Sequence, residues 1–190
     1  MLLPQVKEVP SCEALYQQLK NHCLERTNSE LICRMIASWH YGDGMLPSNL
    51  GLSPAAYQSL WEYYFPNLPA WPCEGRDIDR SRQYERDDLT ALLMEHRANQ
   101  DPSEQWITEI LVAACMGMDH LWQDLGLWSR TDLSEMLNTN FPALAEKNIN
   151  DMKWKKFLYK QLCDQKGVYV CRAPSCDVCD DYDLCFGPEE

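Results

Sequence analysis

Apolar residues recur along this chain at helical intervals, and no stretch alternates convincingly with period two. In CEALYQQLKNHCLE, residues 12–25, Leu15, Leu19 and Cys23 fall four apart on one face. Thr27 with Glu30 reads as a capping box opening LICRMIASWH. Ser53-Pro54 reads as N-cap and first helical residue of AAYQSLWEYYF, which Pro66 stops. After the Pro- and Gly-containing loop PNLPAWPCEGRD, a helix over 79–98 places Leu89, Leu92, Leu93 and His96 together. Asp101-Pro102 with Glu104 caps another, running to about 117 and continuing or kinking at Gly117 toward HLWQDLGL. Thr131 and Asp132 begin LSEMLNTNF, which ends at Pro142. A final long helix spans 150–166 and stops at Gly167.

Six or seven amphipathic helices with short polar connections predict an all-α helical bundle over residues 1–166. The chain changes character after Gly167. VYV is briefly extended, and the cysteine-rich loop that follows has no helical pattern, so 167–190 reads as a metal-binding tail. Its 190 residues suffice to bury a core, and seven Trp and nine Tyr supply bulk for it.

The formal charge of −12 argues against a nucleic-acid binder, which needs a basic face to neutralise phosphates, and equally against an anionic membrane partner. MLLPQVKEVP lacks the apolar run of a secretion signal, and ILVAACMGM at 110–118 is about half a membrane span. The expected compartment is the cytoplasm, where clustered thiols bind metal more often than they form disulfides.

That expectation bears on CRAPSCDVCDDYDLC, where four of the ten cysteines lie between Cys171 and Cys185. The spacing is Cys171-x4-Cys176-x2-Cys179-x5-Cys185. Structural zinc usually takes two paired knuckles a dozen or more residues apart, and here there is one CxxC. C-x4-C-x2-C is instead the arrangement of plant-type iron–sulfur loops. Spacing favours a cluster and leaves structural zinc and a redox disulfide open. The other six cysteines, Cys12, Cys23, Cys33, Cys73, Cys115 and Cys163, read as small buried hydrophobes.

Just upstream, DMKWKKFLYKQLCDQK is a basic helix in an acidic protein. Lys153, Lys155 and Lys156 form either a solvated face or an electrostatic guide for an oxyanion or an acidic partner. Among the histidines, His22 and His40 read as structural, while His120, beside Asp119 and near Cys115, is the best candidate for a further metal ligand. No HExxH, GxSxG, P-loop or GxGxxG is present, so the chain offers little for ordinary catalysis.

MKWKKFLYKQLC followed by GVYVCRAPSCDVCDDYDLCFGPEE closely resembles the C-terminus of the nitrogen-fixation protein NifQ family. The similarity extends through DHLWQDLGLWSRTDLSEMLNTNFPALAEKN and RDDLTALLMEHRA, covering about 85–190, while the first 80 residues add little. The resemblance implies a metallochaperone supplying molybdenum for the iron–molybdenum cofactor of nitrogenase, rather than an enzyme turning over an organic substrate. It implies an iron–sulfur cluster of [4Fe-4S] or [3Fe-4S] type on Cys171, Cys176, Cys179 and Cys185. Molybdate or another molybdenum source and the cofactor-assembly scaffold proteins would be its partners. The alternative is a helical interaction module folded by zinc.

Overall fold

The computed structural model describes residues 11–71, 73, 77, 82–149 and 151–166. Among them it is all-helical, with no strand. The helices are α1 (Cys12–His22), α2 (Ser29–His40), α3 (Pro54–Tyr64), α4 (Gln83–Glu95), α5 (Ser103–Cys115), α6 (Leu121–Asp124), α7 (Arg130–Asn140), α8 (Pro142–Ala145) and α9 (Trp154–Lys166). A 3-10 turn, Ser48–Gly51, lies between α2 and α3. The nine described helices exceed the expected six or seven because α6 and α8 are single turns of four residues. One turn is too short to show a 3.6-residue period. The expected boundary at Gly167 and the cysteine-rich tail lie outside the described residues.

The core is organised around α5. Its buried residues include Ile107, Ile110, Leu111, Val112, Ala114 and Cys115, so it is covered nearly all round, as an apolar helix must be. Helices α3, α4 and α6 and the 3-10 turn all pack on it. Leu15, Tyr16 and Leu19 form the buried side of α1, which packs on α2.

Local signals start several helices, Ser53-Pro54 and Glu104 as the sequence predicts and Ser11 in addition. Ser11 Oγ accepts from Ala14 N at 3.2 Å, and Ser53 Oγ accepts from Ala56 N at 3.1 Å with Pro54 in the first turn. Ahead of α5, the Glu104 carboxylate accepts from the backbone of Asn99, Gln100 and Asp101 at 2.8–3.1 Å, while Asp101 Oδ1 accepts from Ser103 N at 2.8 Å. The cap of α7 is Ser129, slightly earlier than the Thr131–Asp132 start expected; its hydroxyl donates to Asp132 Oδ1 at 2.8 Å and accepts from Asp132 N at 3.2 Å.

Other starts are decided by distant residues. The Thr27–Glu30 capping box does not form. Asn28 occupies the cap in the left-handed region (φ 66°) without a side-chain cap bond. Its side chain exchanges amide bonds of 2.8 Å each way with Asn140 and donates to Ser103 Oγ at 3.0 Å. Glu30 turns instead to Lys20, at 2.7 Å, and to Arg34. Helix α9 begins at Trp154 rather than near 150, because Asp151 takes φ 48° and its carboxylate pairs with Arg130 at 2.6 Å. Helix α4 ends at Glu95, short of the expected 98, and α5 stops at Cys115, followed by a turn through His120.

Asn28 therefore supports a left-handed backbone and a buried amide pair at once. Asn28→Ala is expected to cost about 2 kcal/mol, from the unpaired Asn140 amide and the strained backbone together. Asn28→Gly, which relieves the backbone alone, should cost less. Urea unfolding of the two variants checks this order, and equal losses would show that the left-handed backbone adds nothing.

Candidate metal-handling site

Helix α9 leads directly into the segment that carries Cys171, Cys176, Cys179 and Cys185, all four of which lie outside the described residues. What the structure describes is the platform before them. Trp154, Lys155, Lys156, Phe157, Leu158, Tyr159 and Leu162 are all buried, so the first turns of α9 are enclosed on most sides. Only a helix whose charged residues find internal partners can be enclosed in that way.

Lys155 has such partners. Its Nζ donates to Gly117 O at 3.0 Å, to Asp119 O at 2.7 Å and to the Asp124 carboxylate. Asp124 is fully buried, and Lys155 is only 8% exposed. Burial pushes the Asp124 carboxyl up, and the Lys155 ammonium opposes that shift. We assign the two as an ion pair, because the lysine's other contacts are carbonyl oxygens that only a charged ammonium satisfies well. Gly117 makes the approach feasible: a Cβ there would overlap the Asp124 carboxyl.

A second network ties the same turn to α4. Arg82 pairs with Glu85, donates to Tyr159 Oη at 2.6 Å and reaches Met116 O at 3.4 Å. The Tyr159 hydroxyl donates to Glu85 Oε2 at 3.2 Å. Three carbonyls of one turn, those of Met116, Gly117 and Asp119, thus accept from cations at the N-cap of α4 and on α9. Between these networks Cys115 is completely buried, and burial pushes its thiol up to about 12, so it stays protonated.

These contacts separate the three lysines that the sequence grouped. Lys155 is not on a solvated face; it is an internal anchor, because an ammonium already surrounded by two carbonyls and a carboxylate has little left to offer an incoming anion. Lys156 is also buried, at 7% exposure, whereas Lys153 is half-buried and Lys160 is exposed. His120 is exposed at the N-cap of α6, where its backbone N–H donates to Gln123 Oε1 at 3.2 Å. The structure brings His120 next to the turn that Lys155 holds, exposed, while Cys115 is enclosed. Among the described residues no three His, Cys, Asp or Glu side chains gather as a metal site. Nor is any helix among them long and apolar enough to cross a membrane. Sequence reasoning missed Asp124, Arg82, Glu85 and Tyr159; the usable signal was Gly117, a glycine ending an apolar helix and followed by a buried acid.

A family model described as NifQ matches residues 31–187, from α2 through all four clustered cysteines. The chain is a member of the NifQ family. The NifQ match begins well before the stretch of about 85–190 that carried the resemblance in sequence, so α2 and α3 belong to the shared domain. Protein NifQ of Azotobacter vinelandii is 43% identical, with 87% of this chain and 91% of the relative aligned. Protein NifQ of Rhodobacter capsulatus is 38% identical over 78% and 81%, and that of Klebsiella pneumoniae is 37% identical over 80% and 95%. No solved structure matches the chain.

The anchoring role of Lys155 has a direct consequence. Lys155→Met leaves Asp124 buried without its cation and should cost about 3–5 kcal/mol in urea unfolding. Adding Asp124→Asn should recover much of that loss. Lys153→Gln, at a half-buried position, should stay within about 0.5 kcal/mol of the parent. Equal small effects at both lysines would place Lys155 on the surface after all.

Proposed function

We propose that the chain carries molybdenum bound to iron and sulfide as cargo and donates it to the proteins that assemble the iron–molybdenum cofactor of nitrogenase. The observation that carries this reading is the Cys171-x4-Cys176-x2-Cys179-x5-Cys185 set inside the NifQ-matched segment. Four thiolates on one short segment suit iron and sulfur-bound molybdenum, which are soft-ligand centres. A reducing cytoplasm would keep those thiols available as ligands. The formal charge of −12 speaks against nucleic acid as the recipient.

In this reading the body and the tail divide the work. The body fixes α9 through Lys155, Asp124, Arg82 and Tyr159, and so presents the cysteine segment from a rigid base. Within the segment, Cys171, Cys176 and Cys179 grip iron. Cys185, set apart from the other three by DDYDL, serves as the releasable corner. His120, exposed beside the anchored turn, is the non-thiolate donor that would assist there. Lys153 and Lys160, rather than Lys155, supply positive charge toward solvent for an incoming oxyanion or an acidic scaffold.

The test is anaerobic reconstitution with iron, sulfide and molybdate, followed by metal and sulfide analysis and visible absorption. The parent protein should be brown and hold iron and molybdenum. Cys176→Ser should lose iron, whereas Cys185→Ser should keep most of it and lose molybdenum. A colourless protein that takes up only zinc would overturn the carrier reading, and equal iron loss in both variants would overturn the releasable corner.

A further inference from the structure

His96 and Lys147 meet at the surface, where the end of α4 faces the connection from α8 to α9. Lys147 Nζ lies 2.9 Å from His96 Nε2. The other ring nitrogen, Nδ1, lies 2.8 Å from Leu92 O, one turn back along α4. A carbonyl oxygen can only accept, so its partner assigns the ring hydrogen to Nδ1 and leaves Nε2 with a lone pair. An ammonium can only donate, and Lys147 fills that lone pair. The ring is therefore a neutral imidazole with its basic nitrogen turned to the lysine.

Other lysines are partnered differently. Lys20 Nζ is held by the Glu30 carboxylate at 2.7 Å, and Lys155 by Asp124. Among the described residues Lys147 has no carboxylate partner, and its Nζ faces a neutral base instead. A nucleophile, a base within hydrogen-bond reach and a third group that orients the base make up the arrangement that activates nucleophilic side chains. Lys147, His96 and the Leu92 carbonyl supply those three parts in order. Lys147 is also exposed, so a reagent in solution reaches its amine.

We propose that Lys147 is an acylation site that takes an acyl phosphate as donor, with His96 as the general base. One ammonium proton passes to His96 Nε2, and the freed amine attacks the acyl carbon. The new C–N bond forms, the C–O bond to phosphate breaks, and phosphate leaves with that electron pair. The nitrogen gives up a second proton to the departing phosphate, and the imidazole returns its proton to water. No electrons are gained or lost, and the product is an amide with one N–H. Acylation removes the charge of Lys147 and with it the contact that ties the C-cap of α4 to the connection ahead of α9. The site needs neither the cysteine segment nor its cargo.

The experiment treats the full metal-free chain with acetyl phosphate under reducing conditions, and samples are withdrawn over time. Remaining amines are then capped in denaturant with deuterated acetic anhydride, and the chain is cleaved after Glu and Asp. Lys147 is then alone in peptide 147–151 and Lys20 alone in 14–25, while fragmentation of 152–164 reports the exposed Lys160. Lys147 should acquire light acetyl about tenfold faster than Lys160, the modest end of general-base effects. His96→Phe, which removes the base, should bring Lys147 down to the rate of Lys160 and leave Lys160 and Lys20 unchanged. Should His96→Phe prove unfolded by circular dichroism, His96→Gln, which keeps an acceptor but takes no proton, replaces it with the same expected fall. A Lys147 no faster than Lys160 in the parent, or one that keeps its rate in the folded variant, would overturn the proposal.

Discussion

The enclosed ion pair between Lys155 and Asp124 is the constraint on which the placement of α9 depends. Burying two charges costs several kcal/mol for each, and the cost is offset only when geometry is good and the remaining donors are filled. Here two backbone carbonyls take up the other ammonium donors. That requirement accounts for otherwise odd features together. The turn after α5 must present its carbonyls inward, position 117 must lack a side chain, and α6 must be a single turn that delivers Asp124. The outcome is that α9, the last described element, is locked to the middle of the chain rather than appended to it.

Helices whose boundaries rest on neighbouring residues were legible in the sequence. The hydroxyls of Ser11 and Ser53 each reach an amide three residues on, so the information is local. Pro54 and the carboxylate of Glu104 act over the same range. Where the deciding partner is remote, the pattern misled. Thr27 and Glu30 have the right spacing for a capping box, yet Asn28 is held by Asn140, 112 positions away, and that tertiary bond sets the start of α2. Arg130 does the same to the start of α9 through Asp151.

The candidate site divides along the same line. Four cysteines within fifteen residues make a candidate ligand set by spacing alone, whatever the body does with its other side chains. The lysines do not, because a run of like charges records nothing about which member turns inward. Lys155 and Lys153 are two residues apart, and one is buried against Asp124 while the other is half-buried.

The central claim is that the body holds α9 in place before any metal arrives, so that the cysteine segment is loaded from a preformed base. Amide hydrogen exchange, followed at the α9 residues in metal-free and anaerobically reconstituted protein, tests this most directly. The account predicts that Phe157, Leu158 and Tyr159 are already strongly protected in the metal-free chain, with gains on loading concentrated beyond Lys166. Protection of α9 that appears only after metal is added would contradict it.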